Sequence, residues 1–384
     1  MKLSSCLLIL TALATPLRGL AAASTELTEA LRIIRAVGPE GQGNAAASRA
    51  WRDVLARNDA ANLLPVLTAM DGANDYALNW LCVAVDGLVA QAAKAGRPLP
   101  LPELGKFLLE TSHHATARRR AFELIRRGDP ATAEKLLPGM LNDPSLEIRY
   151  DAVSQLLGQA QAALARTNQP GAILLWQQAM NFARGADQID EIAKQLKTLG
   201  RPVNLQKHFA FLADWKIIGP FDNTGNVGFE TSYPPELKLD FSAEYDGKKG
   251  KVRWQDYSTS HEYGMVDMNT PLGKLKGVLA YATTDFYSDR AQSVELRLGG
   301  KNSWKVWLNG KFLFGRDEYH TNTEIDQYVM PAQLQPGRNT ILVKVCQNEE
   351  VQDWTNEWEF QLRVTDSLGT PISQVAANTN SNRN

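Results

Sequence analysis

The sequence predicts a multidomain α and β chain, an N-terminal α-solenoid of stacked helix pairs followed by a C-terminal antiparallel β-sandwich or jelly roll. Three observations carry this. Residues 25 to 205 are rich in Ala, Leu, Arg, Glu and Gln, with apolar residues three and four apart. Composition then shifts at Leu199-Gly200-Arg201-Pro202 towards Gly, Asn, Asp, Tyr and Trp. Beyond it, short runs alternate apolar and polar residues between turn signals, the period of a half-buried strand.

The chain opens with Lys2, an apolar run from Cys6 to Ala14, Pro16 and small residues at Ala21-Ala22-Ala23. A basic start, a short hydrophobic stretch and an A-x-A-like site predict a secretory leader over 1–23, and hence export to the periplasm or the extracellular space. The run is too short to cross a bilayer comfortably, and no later segment reads as a transmembrane helix. Removing the leader removes Lys2 and Arg18, leaving 39 basic and 42 acidic residues. That balance excludes nucleic acid as the main partner, which would favour a strongly basic surface. The remaining length exceeds what one core usually serves, so two domains are expected, at 24–205 and 206–367, with an Asn- and Ser-rich disordered tail at 368–384. Cys82 and Cys346 sit in patterns of different domains and read as unpaired core cysteines.

In the helical half, Leu27-Leu31-Ile34, Trp51-Val54-Leu55 and Ile148-Ala152-Leu156 mark apolar stripes, with breaks at Gly-Pro, Asn-Asp, Gly-Asp-Pro and Asn-Asp-Pro. Leu63-Leu64-Pro65 recurs as Leu136-Leu137-Pro138, and Arg118-x-x-Ala121 as Arg149-x-x-Ala152. Such spacings predict helix-pair repeats whose extended surface suits a protein partner. Asp143-Pro144-Ser145-Leu146-Glu147-Ile148-Arg149-x-x-Ala152 resembles the centre of a HEAT repeat. The resemblance implies that Asp143 caps the next helix and that Arg149 bonds to a neighbouring turn. The Arg118-Arg119-Arg120 and Arg126-Arg127 clusters read as solvated faces paired with Glu110, Glu123 and Glu134. His113-His114 reads as a helix cap or surface pair, since no ligand set completes a metal site.

Trp215-Lys-Ile-Ile-Gly-Pro220 begins the second domain with a short strand and a turn. Strands are expected near 252–256, 278–286, 292–298, 303–308, 311–314, 325–330, 339–347 and 357–365. Asn309-Gly310 predicts a two-residue hairpin, because both residues tolerate positive φ. Eight or nine strands in this length indicate a sandwich or jelly roll.

The stretch Val294-Glu-Leu-Arg-Leu298, Trp307-Leu-Asn309-Gly310-Lys311 and Pro336-Gly-Arg-Asn339-Thr-Ile-Leu-Val-Lys-Val345 resembles galactose-binding-like jelly rolls, especially the sugar-binding domain of β-galactosidase-type glycosidases. The resemblance implies carbohydrate or cell-surface binding, although members also serve as spacers, and the shared residues are structural.

A sugar site needs an aromatic face and polar groups for the hydroxyls. Two loops supply them, at Arg316-Asp317-Glu318-Tyr319-His320 and at Asn348-Glu349-Glu350-x-x-Asp353-Trp354-x-Asn356-x-Trp358. The ligand-binding candidates are therefore Trp307, Asp317, Tyr319, His320, Asp353, Trp354, Asn356 and Trp358. Trp307 alternates with Val306 and Leu308 and is expected to point outward. The opposing expectation is that Trp354 and Trp358 pack beneath the sandwich or against the helical domain. No cofactor is indicated. The acids near Asp317 and Asp353 offer the oxygen ligands of a structural calcium, without EF-hand spacing. There is no Gly-x-Ser-x-Gly elbow, P-loop or HExxH motif, and Ser260-His261-Glu262 reads as a polar loop. The expectation is an exported, non-catalytic binding or scaffold protein. The alternatives are a pure protein-interaction or spacer module, and an accessory part of a polysaccharide-processing enzyme system.

Overall fold

The computed structural model describes residues 17–376. The expected leader lies outside the described residues up to position 16, as does the tail from 377. A helical N-terminal half precedes a region of antiparallel sheet, so the chain is a multidomain α and β protein. It divides into two compact units between Gln159 and Ala160.

The first unit carries α1 (Leu17–Arg35), α2 (Asn44–Ala56), α3 (Leu63–Thr68), α4 (Asp75–Lys94), α5 (Leu101–Leu109), α6 (Ala115–Gly128), α7 (Pro130–Leu136) and most of α8 (Leu146–Ala165). Successive helices pack as neighbours, α1 on α2 and α5 on α6. Their apolar stripes meet in one core that includes Leu31, Ile34, Val54, Leu81, Phe122 and Ile148. Helix starts are capped where the sequence breaks. Asn74 Oδ1 accepts from the Ala77 N–H and Asp129 Oδ1 from the Thr132 N–H. Helix α4 is long and apolar enough to cross a membrane by length and composition, contrary to the sequence expectation. Its Leu81, Ala84, Val85 and Leu88 lie in the helical core.

The Asp143 turn differs instructively from its expectation. Asp143 Oδ1 accepts from the Ser145 N–H, as a cap should. Arg149, however, bonds within its own turn, to the Asp143 carbonyl (2.9 Å) and Asn142 Oδ1 (3.1 Å). The longer reach to this turn comes from Arg118 of α6. It grips Asp143 with both terminal nitrogens (2.7 and 2.6 Å) and the Leu108 carbonyl with Nε (2.8 Å). Arg118 is thus buried, not solvated. Arg119 pairs with Glu123 and Asp151, Arg120 with Asp86, and Arg126 with Asp151. The His114 ring caps α6 by accepting from the Thr116 N–H.

The second unit begins with the end of α8, then α9 (Gln169–Phe182), α10 (Ala186–Thr198) and α11 (Leu205–Phe209). The change from helix to strand comes at Asp214. The strands are β1 (Asp214–Asp222), β2 (Glu244–Gly247), β3 (Gly250–Arg253), β4 (Gln255–Ser258), β5 (Val266–Asp267), β6 (Val278–Ser288), β7 (Gln292–Gly300), β8 (Ser303–Leu308), β9 (Lys311–Arg316), β10 (Tyr328–Leu334), β11 (Gly337–Gln347) and β12 (Glu359–Thr365). They form a six-stranded sheet, β4-β1-β6-β11-β8-β9, a four-stranded sheet, β10-β7-β12-β5, and the β2-β3 ribbon. All pairings are antiparallel.

Both larger sheets contribute to one apolar core, with Ile217, Ala282, Val306 and Val343 from the first and Leu296, Leu298, Phe360 and Leu362 from the second. The other face of the six-stranded sheet has a core of its own. The segment between β1 and β6 folds back over Ile218, Leu279, Tyr281, Leu342 and Cys346, bringing Phe229, Tyr233, Tyr245 and Trp254. Consequently β11 is buried continuously from Ile341 to Gln347, where alternation predicted one wet face.

The Asn309-Gly310 hairpin forms as expected, with φ of 52° and 76°. Strand β10 runs past Pro331, which the sheet tolerates because β10 is an edge strand. The segment expected to be disordered from 368 is bonded as far as the structure describes it. Pro371 bridges Thr365, the Ile372 N–H donates to the Val364 carbonyl, and the Val375 N–H to the Tyr287 carbonyl.

Candidate ligand surface of the two-sheet unit

The eight candidate residues part company in three dimensions. Trp307 does face away from the inter-sheet core, as alternation predicts. It is nevertheless only 8% exposed, because the β1–β6 segment covers it. It borders a cleft of about 300 Å³ shared with Leu239, Asn309, Arg338 and Thr340. Trp358 has no exposure at all and donates through Nε1 to the Val345 carbonyl (3.2 Å), inside the inter-sheet core. Neither ring is an open stacking platform. Asn356 is half-buried and offers its backbone carbonyl to Asn269 Nδ2 (3.0 Å).

Tyr319, His320, Asp353 and Trp354 gather on neighbouring loops. Tyr319 packs into the second core, and its hydroxyl accepts from Asn223 Nδ2 (3.1 Å). Burial pushes this phenol up to about 12. His320 has a left-handed φ of 59°. Its Nε2 lies 3.0 Å from Asn348 Oδ1 and 3.6 Å from a Glu350 carboxylate oxygen. Its ring meets the Trp354 indole edge to face, centroids 5.1 Å apart and planes at 83°. Asp353 opens the short turn Asp353–Thr355 and is exposed, as is Asp317 in the loop after β9.

Trp354 is 62% exposed, the one exposed ring among nine tryptophans. What keeps it there is the residue that follows. Thr355 is buried, and its single hydroxyl proton is shared between the carbonyls of Gln352 (2.7 Å) and Glu350 (2.9 Å). Its own carbonyl accepts from Gln347 Nε2 (2.9 Å) and Lys276 Nζ (2.8 Å). Burial lowers the Lys276 ammonium's pKa below the ordinary lysine range, with Glu350 opposing. Gln347 is held in turn by Asn302 (3.1 Å). A fully bonded buried network therefore fixes the loop while its indole stays in solvent, the preorganisation a binding platform requires.

Sequence reasoning named the aromatic but missed Gln347, Thr355, Lys276 and Asn302. Glu349 is already engaged, accepting from the Gly225 N–H (2.8 Å). Among the described residues no cluster of three His, Cys, Asp or Glu side chains could hold a metal ion.

No family model matches the chain, and no curated protein does. Among solved structures, part of it is similar to a β-glucosidase from Kluyveromyces marxianus in complex with glucose, at 12% identity and a TM-score of 0.26, covering 40% of this chain and 16% of that one. It is also similar to a family 35 carbohydrate binding module from Clostridium thermocellum, at 12% identity and a TM-score of 0.17, covering 23% of this chain and 78% of the module. A β-glucuronidase from Faecalibacterium prausnitzii shows 17% identity and a TM-score of 0.22, over 35% of this chain and 20% of the enzyme. The chain thus spans a fifth or less of the two enzymes. Likenesses this partial assign no function.

Proposed function

We propose that this chain is an exported, non-catalytic binding protein. The two-sheet region, read as a galactose-binding-like β-sandwich, holds a glycan or cell-envelope component. The helical half, read as a HEAT-like solenoid, holds a protein partner. One observation carries the glycan reading. Trp354 presents its ring to solvent from a loop fixed by buried hydrogen bonds, with His320, Glu350 and Asp353 nearby. An indole face covers the apolar side of a sugar ring, and acids and amides around it can take the hydroxyls.

Affinity electrophoresis of the full chain through gels containing soluble polysaccharides tests this. Retention that disappears in Trp354→Ala is the expected result. A folded chain that no polysaccharide retards overturns the reading.

The spacer reading draws on a different observation. Trp307 and Trp358 are both buried, as packing without a ligand requires, although that reading expects Trp354 to be buried too and it is 62% exposed. It predicts that Trp354→Ala changes nothing in the same gels.

A further inference from the structure

The loop that carries His320 continues into the wall of another cleft, of about 650 Å³, which does not include Trp354. That volume suits a small ligand. Four parts of the second unit converge on it. They are Asp190 of α10, Tyr263 before β5, Lys301 after β7, and Glu359 and Gln361 of β12, closed by the segment 322–325.

Both walls are pinned. Asp326 ends the loop with a left-handed φ of 61° and takes Arg297 Nη1 (2.7 Å) and Arg363 Nε (2.7 Å) on its carboxylate. Gly299 lets the segment lie against β7, because a Cβ there would come within 2.4 Å of the Glu324 carbonyl oxygen. On the other side the Tyr263 hydroxyl donates to Asp190 Oδ1 (2.8 Å).

The lining is rich in acceptors, and among the described residues one of them is buried without a donor. Gln361 is 3% exposed, and its Nε2 donates to the Glu324 carbonyl while its Oε1 has no partner among the described residues. A buried amide oxygen without a donor costs about 1–3 kcal/mol, so a sheet residue kept in that state calls for an explanation. Two positions along β12, on the same side of the strand, is the half-buried Glu359. Its nearest cation is Lys301 at 3.9 Å, and that ammonium is already bonded to Glu357. Glu324 and Asp190 add exposed carboxylates at the rim, the second already accepting from Tyr263. A ligand here must supply N–H donors and positive charge, and Tyr263 offers an aromatic ring beside them.

We propose that this cleft binds a small organic amine, its ammonium taken by Glu359 and Gln361 Oε1. The site is independent of the glycan reading. Isothermal titration calorimetry on the full chain tests it with putrescine, glucosamine, N-acetylglucosamine and glucose. Putrescine and glucosamine should bind, with N-acetylglucosamine and glucose at least tenfold weaker, since they lack the ammonium. Glu359→Gln should weaken both amines at least tenfold at an unchanged melting temperature, and Trp354→Ala should leave them unaffected. The proposal is overturned if neither amine gives heat at millimolar concentration, if the acetylated sugar binds as well as glucosamine, or if Glu359→Gln binds putrescine like the parent. Loss of amine binding in Trp354→Ala would also overturn it, by placing the amine on the indole. Failure of polysaccharide retention alone leaves it standing, because putrescine has no ring to stack.

Discussion

Replacing Lys344 with methionine should loosen the second core and little else. Lys344 has no exposed surface, yet it lies in the middle of β11. Its ammonium donates to the Phe229 carbonyl (3.1 Å), the Thr231 carbonyl (2.8 Å) and Glu236 Oε1 (2.8 Å). It also lies 5.9 Å from the Tyr233 ring centroid and 5.7 Å from that of Tyr281. These contacts tie the covering segment to the six-stranded sheet. Methionine keeps most of the buried volume, so the cavity contribution is small. The main cost is a buried Glu236 carboxylate without its cation, about 3–5 kcal/mol, with two carbonyls losing donors as part of it. With a urea slope of about 2 kcal/mol per molar, the midpoint should fall by about 2 M. Seven of the nine tryptophans lie in the second unit, so their fluorescence reports this transition. Adding Glu236→Gln to the methionine variant removes the stranded charge while leaving an acceptor for Tyr281, and should restore about 1.5 kcal/mol or more. A midpoint shift below about 0.5 M for Lys344→Met, or a double variant less stable than that single one, would refute the argument.

Four further outcomes are expected. Trp354→Ala should abolish polysaccharide retention in affinity gels with a stability change within about 0.5 kcal/mol, because the ring is exposed. Asp326→Asn should cost about 3 kcal/mol in urea titrations, since buried Arg363 loses its charge partner. Burial pushes the Asp326 carboxyl up, but Arg363 and Arg297 outweigh it and hold the group below its ordinary value. Its contribution is therefore present above about pH 4 and is lost as pH falls through the lowered value, a loss that Asp326→Asn should not show. Arg118→Lys keeps the charge but forfeits the two-pronged grip on Asp143, and should destabilise the helical unit by about 2 kcal/mol, read by circular dichroism. Cys346 is fully buried, its thiol pushed up to about 12 by burial, so a thiol reagent should leave it unlabelled until the chain unfolds.

Local rules reached far along this chain. Helix stripes, Asn and Asp caps and the Asn309-Gly310 hairpin depend on residues within a few positions of one another, and each stands where the sequence puts it. Two arginines share the Asp143 turn, and only packing decides that Arg118 reaches it from α6 while Arg149 bonds it from within. Strand β10 runs over Tyr328–Leu334 where 325–330 is expected, and its passage beyond Pro331 is possible because it is an edge strand. At the candidate surface, composition located the loop that carries an exposed indole but could not separate Trp354 from Trp358. Four residues apart, one stands 62% exposed and the other is sealed. The difference arises from Thr355, whose bonds to Gln347, Lys276, Glu350 and Gln352 all span the loop's folded shape.

The same limit explains Trp307, and it is physical. Alternation tells which face of a strand a side chain takes, and it placed Trp307 opposite Val306 and Leu308. It does not tell whether that face meets water. A sheet covered on both sides loses its wet face, and its central strands read as almost continuous apolar runs. Strand β6 does so from Val278 to Ala282, all buried. Strand β11 would too, but for Lys344 and Gln347. Those two polar residues invite a wet-face reading, and each is instead the donor that pins a covering loop, Lys344 the segment over Tyr281 and Gln347 the loop of Trp354. Along β11, a buried polar side chain therefore marks where a loop is tied down. The surface those ties leave uncovered is where a ligand can reach.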